Sequence, residues 1–161
     1  FLDAYDPARD QAAFEAAWQA RAQGAVGEVH AFEPHYEGST VVCGSEGRVS
    51  SAKGSHRFDA RAGHHLAPAA QASGKNIYDE LGAGFTLLVM GGPASAAEAF
   101  REAALDLSLP LSIVMAESSD ETARYAAKLV LVRPDQFVAW AADAASPDDA
   151  RRVLAVASGR G

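Results

Sequence analysis

Hydrophobic positions fall into two patterns along this chain. Short unbroken runs, Phe85–Met90 (FTLLVM), Leu111–Met115 (LSIVM) and Leu129–Val132 (LVLV), have the leucine and β-branched content of strands buried on both faces. A fourth run, Phe137–Trp140 (FVAW), follows across Arg133-Pro134-Asp135-Gln136. There Pro presets φ and Asp bonds to its own backbone two residues on, so Leu129–Trp140 reads as a β-hairpin. Elsewhere the apolar positions recur at helical spacing. Phe100, Ala103, Ala104 and Leu107 share one face of a helix predicted over Ala96–Leu107 with Ser95 as its cap. Ser118-Ser119-Asp120 opens a helix through about Ala127. Ser146-Pro147-Asp148-Asp149 starts a last one to about Ala157, with Val153, Leu154 and Val156 apolar.

Upstream of these, His65–Ala72 reads as a weak strand, and Asn76 caps a short helix, Ile77–Leu81, stopped by Gly82. From residue 65 the order is therefore β-α-β-α-β-α-β-β-α. Two parallel strands joined by a helix and closed by a terminal antiparallel hairpin predict an α/β, thioredoxin-like fold with a mixed sheet.

An N-terminal helix and an irregular segment precede it. Asp6-Pro7 starts the helix, which runs Ala-rich to Gln23, with Gly24 as the stop. Phe14, Trp18 and Ala22 form one apolar stripe that needs a partner surface. The chain opens on Phe1-Leu2 without Met, which points to a partner domain upstream. Val29–Cys43 is irregular, with Thr40–Val42 as a small strand. The Ser-, Gly- and charge-rich stretch that follows has linker composition. The expected organisation is residues 1–45 as the tail of a preceding domain, 46–62 as a linker or mobile loop, and 63–161 as the thioredoxin-like domain.

Charge and composition narrow the function classes. A net charge of −7 argues against nucleic acid and anionic membrane surfaces as partners, since both select clustered Lys and Arg. No apolar run approaches the roughly 20 residues of a membrane-spanning helix. A single cysteine, Cys43, permits no internal disulfide and suits a reducing, cytoplasmic compartment.

Candidate chemistry is sparse. Thioredoxin-type redox work needs a thiolate at a helix N-terminus, but Gly91-Gly92-Pro93-Ala94-Ser95 holds no cysteine after the FTLLVM strand. His30, His35, Glu33 and Glu37 lie close in sequence and a metal site is conceivable from them, yet loop surface is the plainer reading. His64 and His65 are neighbours that point to opposite faces of a strand. Ser118–Glu121 lacks a nucleophile-elbow context and reads as a helix cap. Gly82-Ala83-Gly84 and Gly91-Gly92 are not a dinucleotide fingerprint. Trp18, Trp140, Tyr36, Tyr78 and Tyr125 are too dispersed for a base-stacking platform. No catalytic, cofactor-binding or metal-ligating residue is assigned. The candidate interface and structural residues are Phe14, Trp18, Arg133, Asp135 and Trp140.

Several stretches, in order, resemble the carboxy-terminal end of FAD-dependent aromatic-ring hydroxylases of the phenol, dichlorophenol and polyketide branches. Asn76–Val89 (NIYDELGAGFTLLV) is similar to their "DLLG-x-GFTLL", and Leu131–Trp140 (LVRPDQFVAW) to "LVRPDGHVAWR". Ala60–Pro68 resembles "PG-x-R-x-PH", Phe32–Val42 resembles "Y-x-x-S-x-V-V", and Phe1–Arg9 resembles the "LLDTYDAER" that ends the flavin domain. Gln136, Phe137 and Ala141 replace the usual Gly, His and Arg, and Asp10 replaces a Pro. With Gln136 at the hairpin turn, the strand pairing is expected to persist and the local turn geometry to change. The resemblance implies a thioredoxin-like domain without redox cysteines, structural or dimer-forming, most simply in a homodimer, and a residue 1–45 tail belonging to the flavin domain. It implies FAD and NAD(P)H for the full-length protein, which would hydroxylate a phenolic ring with O2, and no cofactor held by this stretch. The alternative is a stand-alone thioredoxin-fold binding module without redox activity.

Overall fold

A computed structural model describes residues 6–45, 47–54 and 56–161. Phe1–Tyr5, and with them most of the stretch resembling the end of a flavin domain, lie outside the described residues, as do the side chains of residues 7, 8 and 22–31.

Four strands form the central sheet, in the order β4-β3-β5-β6. Here β3 is Phe85–Val89, β4 Leu111–Met115, β5 Leu129–Val132 and β6 Val138–Ala142. β3 and β4 are parallel, joined by α2 (Ala94–Asp106). β5 runs antiparallel to β3, and β6 closes the hairpin against β5. Both faces of the sheet are covered, which is why β3 and β5 read as unbroken apolar runs. One face packs Leu87, Leu129, Leu131 and Trp140 under α2 and the final helix α4 (Pro147–Ala157). The other packs Leu88, Val130 and Val138 under Leu66, Ile77 and Tyr125 from the segments before β3 and β5.

The arrangement is the thioredoxin-like mixed α/β fold that the pattern predicts, with several local differences. His65–Ala72 is not a strand. It contributes only isolated bridges, His65 to Phe137 and Ala70 to Asn76. Leu66 N–H donates to Gln136 O and Ile77 N–H to Ala69 O, so this stretch is an apolar cover laid over the sheet. α2 starts at Ala94 behind Pro93, two residues earlier than a Ser95 cap would place it. Asn76 does cap a single 3-10 turn, Ile77–Glu80, through its side chain. α3 is only Asp120–Ala123. Ser119 and Thr122 close a capping box at its start, and the helix ends at Ala123, with Ala126 at φ 53° beyond it, short of the expected end near Ala127.

The N-terminal half differs more. α1 spans Pro7–Ala31, passing through Gly24 and absorbing Val29–Ala31. Glycine costs only about 1 kcal/mol in a helix interior, so it stops a helix only where the following chain takes another path. Thr40–Val42 forms turn and coil instead of a strand. The paired element is β1 (Phe32–His35), antiparallel to β2 (Ser51–Lys53), which lies inside the stretch read as linker. Every side chain from Gln11 to Arg21 is exposed. Phe14 and Trp18 stack at 6.1 Å between ring centroids, and Trp18 is 62% exposed.

At the hairpin turn Gln136 sits at φ 67°, the left-handed backbone region that glycine enters most easily. Strand pairing persists, with a register irregularity between Leu131 and Val132. Asp135 accepts from Phe137 N–H, and Arg133 N–H donates to Phe137 O, which closes the turn around the strained residue. A non-glycine residue in this region costs roughly 1–2 kcal/mol, and glycine's extra chain entropy returns part of that. Gln136→Gly should therefore stabilise the protein by about 0.5–1 kcal/mol, read as a higher urea midpoint at unchanged m value.

Candidate functional site

Where β1 ends, the chain turns against the segment that leads to the sheet, and a polar cluster is buried in the joint. His35 and Glu37 are two residues apart, so they lie on the same side of an extended chain. His64 is brought beneath them by an antiparallel bridge between His35 and His64 and by Val138 N–H donating to His64 O. Tyr36 N–H donates to Gly63 O at 2.7 Å, which fixes the two segments side by side. His35, Glu37 and His64 are all buried.

Distances within the cluster are short. His64 Nε2 lies 2.7 Å from Glu37 Oε1, and His64 Nδ1 lies 3.2 Å from Glu33 Oε1. The His35 ring stacks on the His64 ring at 4.9 Å between centroids, 13° from parallel, with its Nδ1 3.9 Å from Glu37 Oε1. Two arginines hold the carboxylates from outside. Arg61 Nη2 donates to Glu33 Oε1 at 2.5 Å, and Arg48 Nε lies 3.5 Å from Glu37 Oε2. The hydrogen bond with His64 holds the Glu37 carboxyl below its ordinary range, against the opposing effect of burial. Glu33 Oε2, His35 Nδ1 and Glu37 Oε2 are buried without a hydrogen-bond partner. Glu37 also lines a cleft of 320 Å³ shared with Ser45, Arg48, Arg57, Asp59 and Arg61.

The cluster corrects the reading of His35 and Glu37 as loop surface. Of the four residues weighed together in the sequence, Glu33, His35 and Glu37 do meet, and the His30 side chain lies outside the described residues. His64 was the missing member. It points inward while His65 is exposed against Tyr78 and Phe137, as alternation on an extended segment requires. The His-x-Glu spacing carried the signal for one shared face. Nothing local in the sequence brings residue 64 to it.

The other singled-out residues have structural surroundings. Trp140 is a core residue against Phe100, at 5.5 Å between centroids, and is not part of an exposed face. Arg133 pairs with Asp135 at 3.3 Å and donates through Nη1 to Ala157 O at 3.0 Å, so it ties the hairpin turn to the C-terminal end of α4. Ser119 is a cap, as its neighbours suggested, and its hydroxyl also donates to Ala70 O. Cys43 is buried, with its thiol pKa pushed up by that burial, and its N–H donates to Ala139 O beside β6, away from the β3–α2 junction. Among the described residues, no helix is long and apolar enough to cross a membrane.

Comparison with known proteins converges on one group. The family model for the aromatic-ring hydroxylase C-terminal domain matches residues 59–160. The FAD-dependent monooxygenase opdD of Penicillium oxalicum is 39% identical over 92 residues, covering 53% of this chain and 18% of that protein. The substrate-free form of the rebeccamycin biosynthetic enzyme RebC superposes with a TM-score of 0.69 at 29% identity, over 99% of this chain and 30% of that one. Aklavinone-11 hydroxylase, solved with FAD and aklavinone, superposes at 0.57 and 25% identity, over 76% of this chain and 26% of that one. The chain spans about a fifth of the length of the curated relative.

Proposed function

The chain belongs to the aromatic-ring hydroxylase C-terminal family, and from that premise we propose that it serves as the non-redox scaffold of a flavin-dependent monooxygenase. The observation that carries this reading is the junction after β3. A thioredoxin-like sheet would present its reactive thiolate here, and the chain instead has Gly91-Gly92-Pro93 leading into α2.

The same turn does not fit a flavin pyrophosphate. A Cβ on Gly92 would meet Leu129 Cδ2 at 2.9 Å, so that glycine makes room for the core and not for a ligand. In this reading FAD is held by the flavin-binding portion of the parent protein. In the parent protein, the flavin, reduced by NAD(P)H, would supply the oxygen-transfer chemistry on a phenolic ring. This domain would dock on the flavin-binding portion, support a homodimer, and work in the cytoplasm. Phe14 at 44%, Trp18 at 62%, Phe32 at 60% and Phe58 at 53% exposure are the apolar surface offered for such contacts.

Purified alone, the chain should be colourless and bind no added FAD. A stoichiometric yellow complex would overturn the assignment. Light scattering should show a dimer, and a monomer at every concentration would remove the assembly role while leaving the scaffold reading in place.

A further inference from the structure

We propose that His35, Glu37 and His64 form a binding site for a single divalent metal ion of the zinc class. Their ligand atoms lie within 4.8 Å of one another, and all three residues are buried. Zinc bonds of roughly 2.0–2.1 Å at tetrahedral angles set neighbouring ligand atoms about 3.3 Å apart. The observed separations of 2.7 Å for His64 Nε2 to Glu37 Oε1 and 3.9 Å for His35 Nδ1 to Glu37 Oε1 bracket that value. The His35 and His64 rings stack 13° from parallel, so one of them turns about its side-chain torsions for both to direct a ring nitrogen at one ion.

Two observations point to a ligand rather than to a polar cluster complete in itself. His35 Nδ1 is buried without a hydrogen-bond partner, which buried polar atoms rarely are. Behind the site, His64 Nδ1 faces Glu33 at 3.2 Å, and Arg61 anchors Glu33 in turn. A carboxylate on the far nitrogen is the usual outer-shell support of a metal-bound histidine. It fixes the tautomer that leaves Nε2 free to bind.

The two guanidinium groups have room to yield. The Arg48 side chain is 63% exposed and can turn to solvent when Glu37 takes the ion. Arg61 Nη1, 3.3 Å from His64 Nε2, can shift toward Asp59, whose Oδ1 already lies 3.7 Å from Arg61 Nε. The cleft beside Glu37 gives an approach route and space for a water in the fourth position. Two imidazoles and one carboxylate suit zinc or cobalt, whereas magnesium and calcium call for all-oxygen shells. The ion would clamp β1 and its following turn onto the segment entering the sheet, a structural task.

The test is titration of the chelator-stripped chain with Zn2+ alone and, in parallel, with Co2+. One equivalent should bind, the Co2+ form should show the visible bands of four-coordinate cobalt, and the melting temperature should rise with metal concentration. His35→Gln and His64→Gln should each weaken binding by more than about 100-fold, and Glu33→Gln by about 10–100-fold, while Cys43→Ser leaves it unchanged. The cobalt spectrum of the unsubstituted chain keeps the test independent of whether any variant folds. Absence of saturable one-equivalent uptake, octahedral cobalt only, unaltered affinity in His35→Gln, or a thiolate band abolished by Cys43→Ser would each overturn the site.

Discussion

Replacing Phe100 with alanine is expected to remove about 3–5 kcal/mol of stability, the largest loss for any single side chain in this fold. Phe100 is fully buried on the sheet-facing side of α2. Its ring meets Trp140 of β6 at 5.5 Å and packs in the same cluster as Leu87, Leu131, Val153 and Leu154. Three elements, α2, α4 and the sheet, thus close on one ring. Truncation loses the transfer free energy of the ring and leaves a cavity that none of the three can collapse into without breaking its own register. Against a typical total of 5–15 kcal/mol the loss is large, so the urea midpoint should fall steeply while m stays constant. Leu105 lies on the same helix but is 74% exposed, so Leu105→Ala should change stability by less than about 0.5 kcal/mol. Equal effects at the two positions would mean that α2 does not seat on the sheet as described.

The sheet was legible because burial on both faces writes itself into sequence as unbroken apolar runs. LVLV is buried at all four positions, and FTLLV at all five. The capped start of α4 was equally readable, since Ser146 and Asp149 satisfy each other's backbone donors within one turn. Two kinds of feature were not readable. The segment at residues 65–72 looks like a strand because it alternates and is apolar, but its backbone partners are scattered over Phe137, Gln136 and Asn76. Its burial comes from lying over the sheet, and periodicity does not distinguish that from joining it. The candidate site escaped for a different reason. His35, Glu37 and His64 are up to 29 residues apart, and their meeting depends on two backbone bonds, Tyr36 to Gly63 and Val138 to His64, that no side-chain pattern announces. Histidines and glutamates in a polar stretch look solvated until tertiary structure buries them.

Gly63 is the point on which that meeting turns, and Gly63→Ala should cost on the order of 3 kcal/mol. Its φ is +87°, a backbone region that alanine enters only under strain. A Cβ there would also lie 2.7 Å from Glu37 N and 2.8 Å from Glu37 Cα, both backbone atoms that cannot swing aside. The residue is bonded in both directions: its N–H donates to Val138 O and its C=O accepts from Tyr36 N–H. Relief of the clash must therefore push residues 36–37 away from the sheet and lengthen one of those bonds. The damage should be unevenly spread. Amide exchange should accelerate most at Tyr36, Gly63 and Val138, while Leu87 and Leu131, held by β-ladder bonds on the far side of the sheet, keep the protection of the global fold. Because Glu37 would move with the displaced strand, the same substitution should also abolish the one-equivalent metal uptake expected of the parent chain. Uniform loss of protection across the sheet would show instead that the β1 joint and the sheet unfold as one unit, and that Gly63 is a core residue of both.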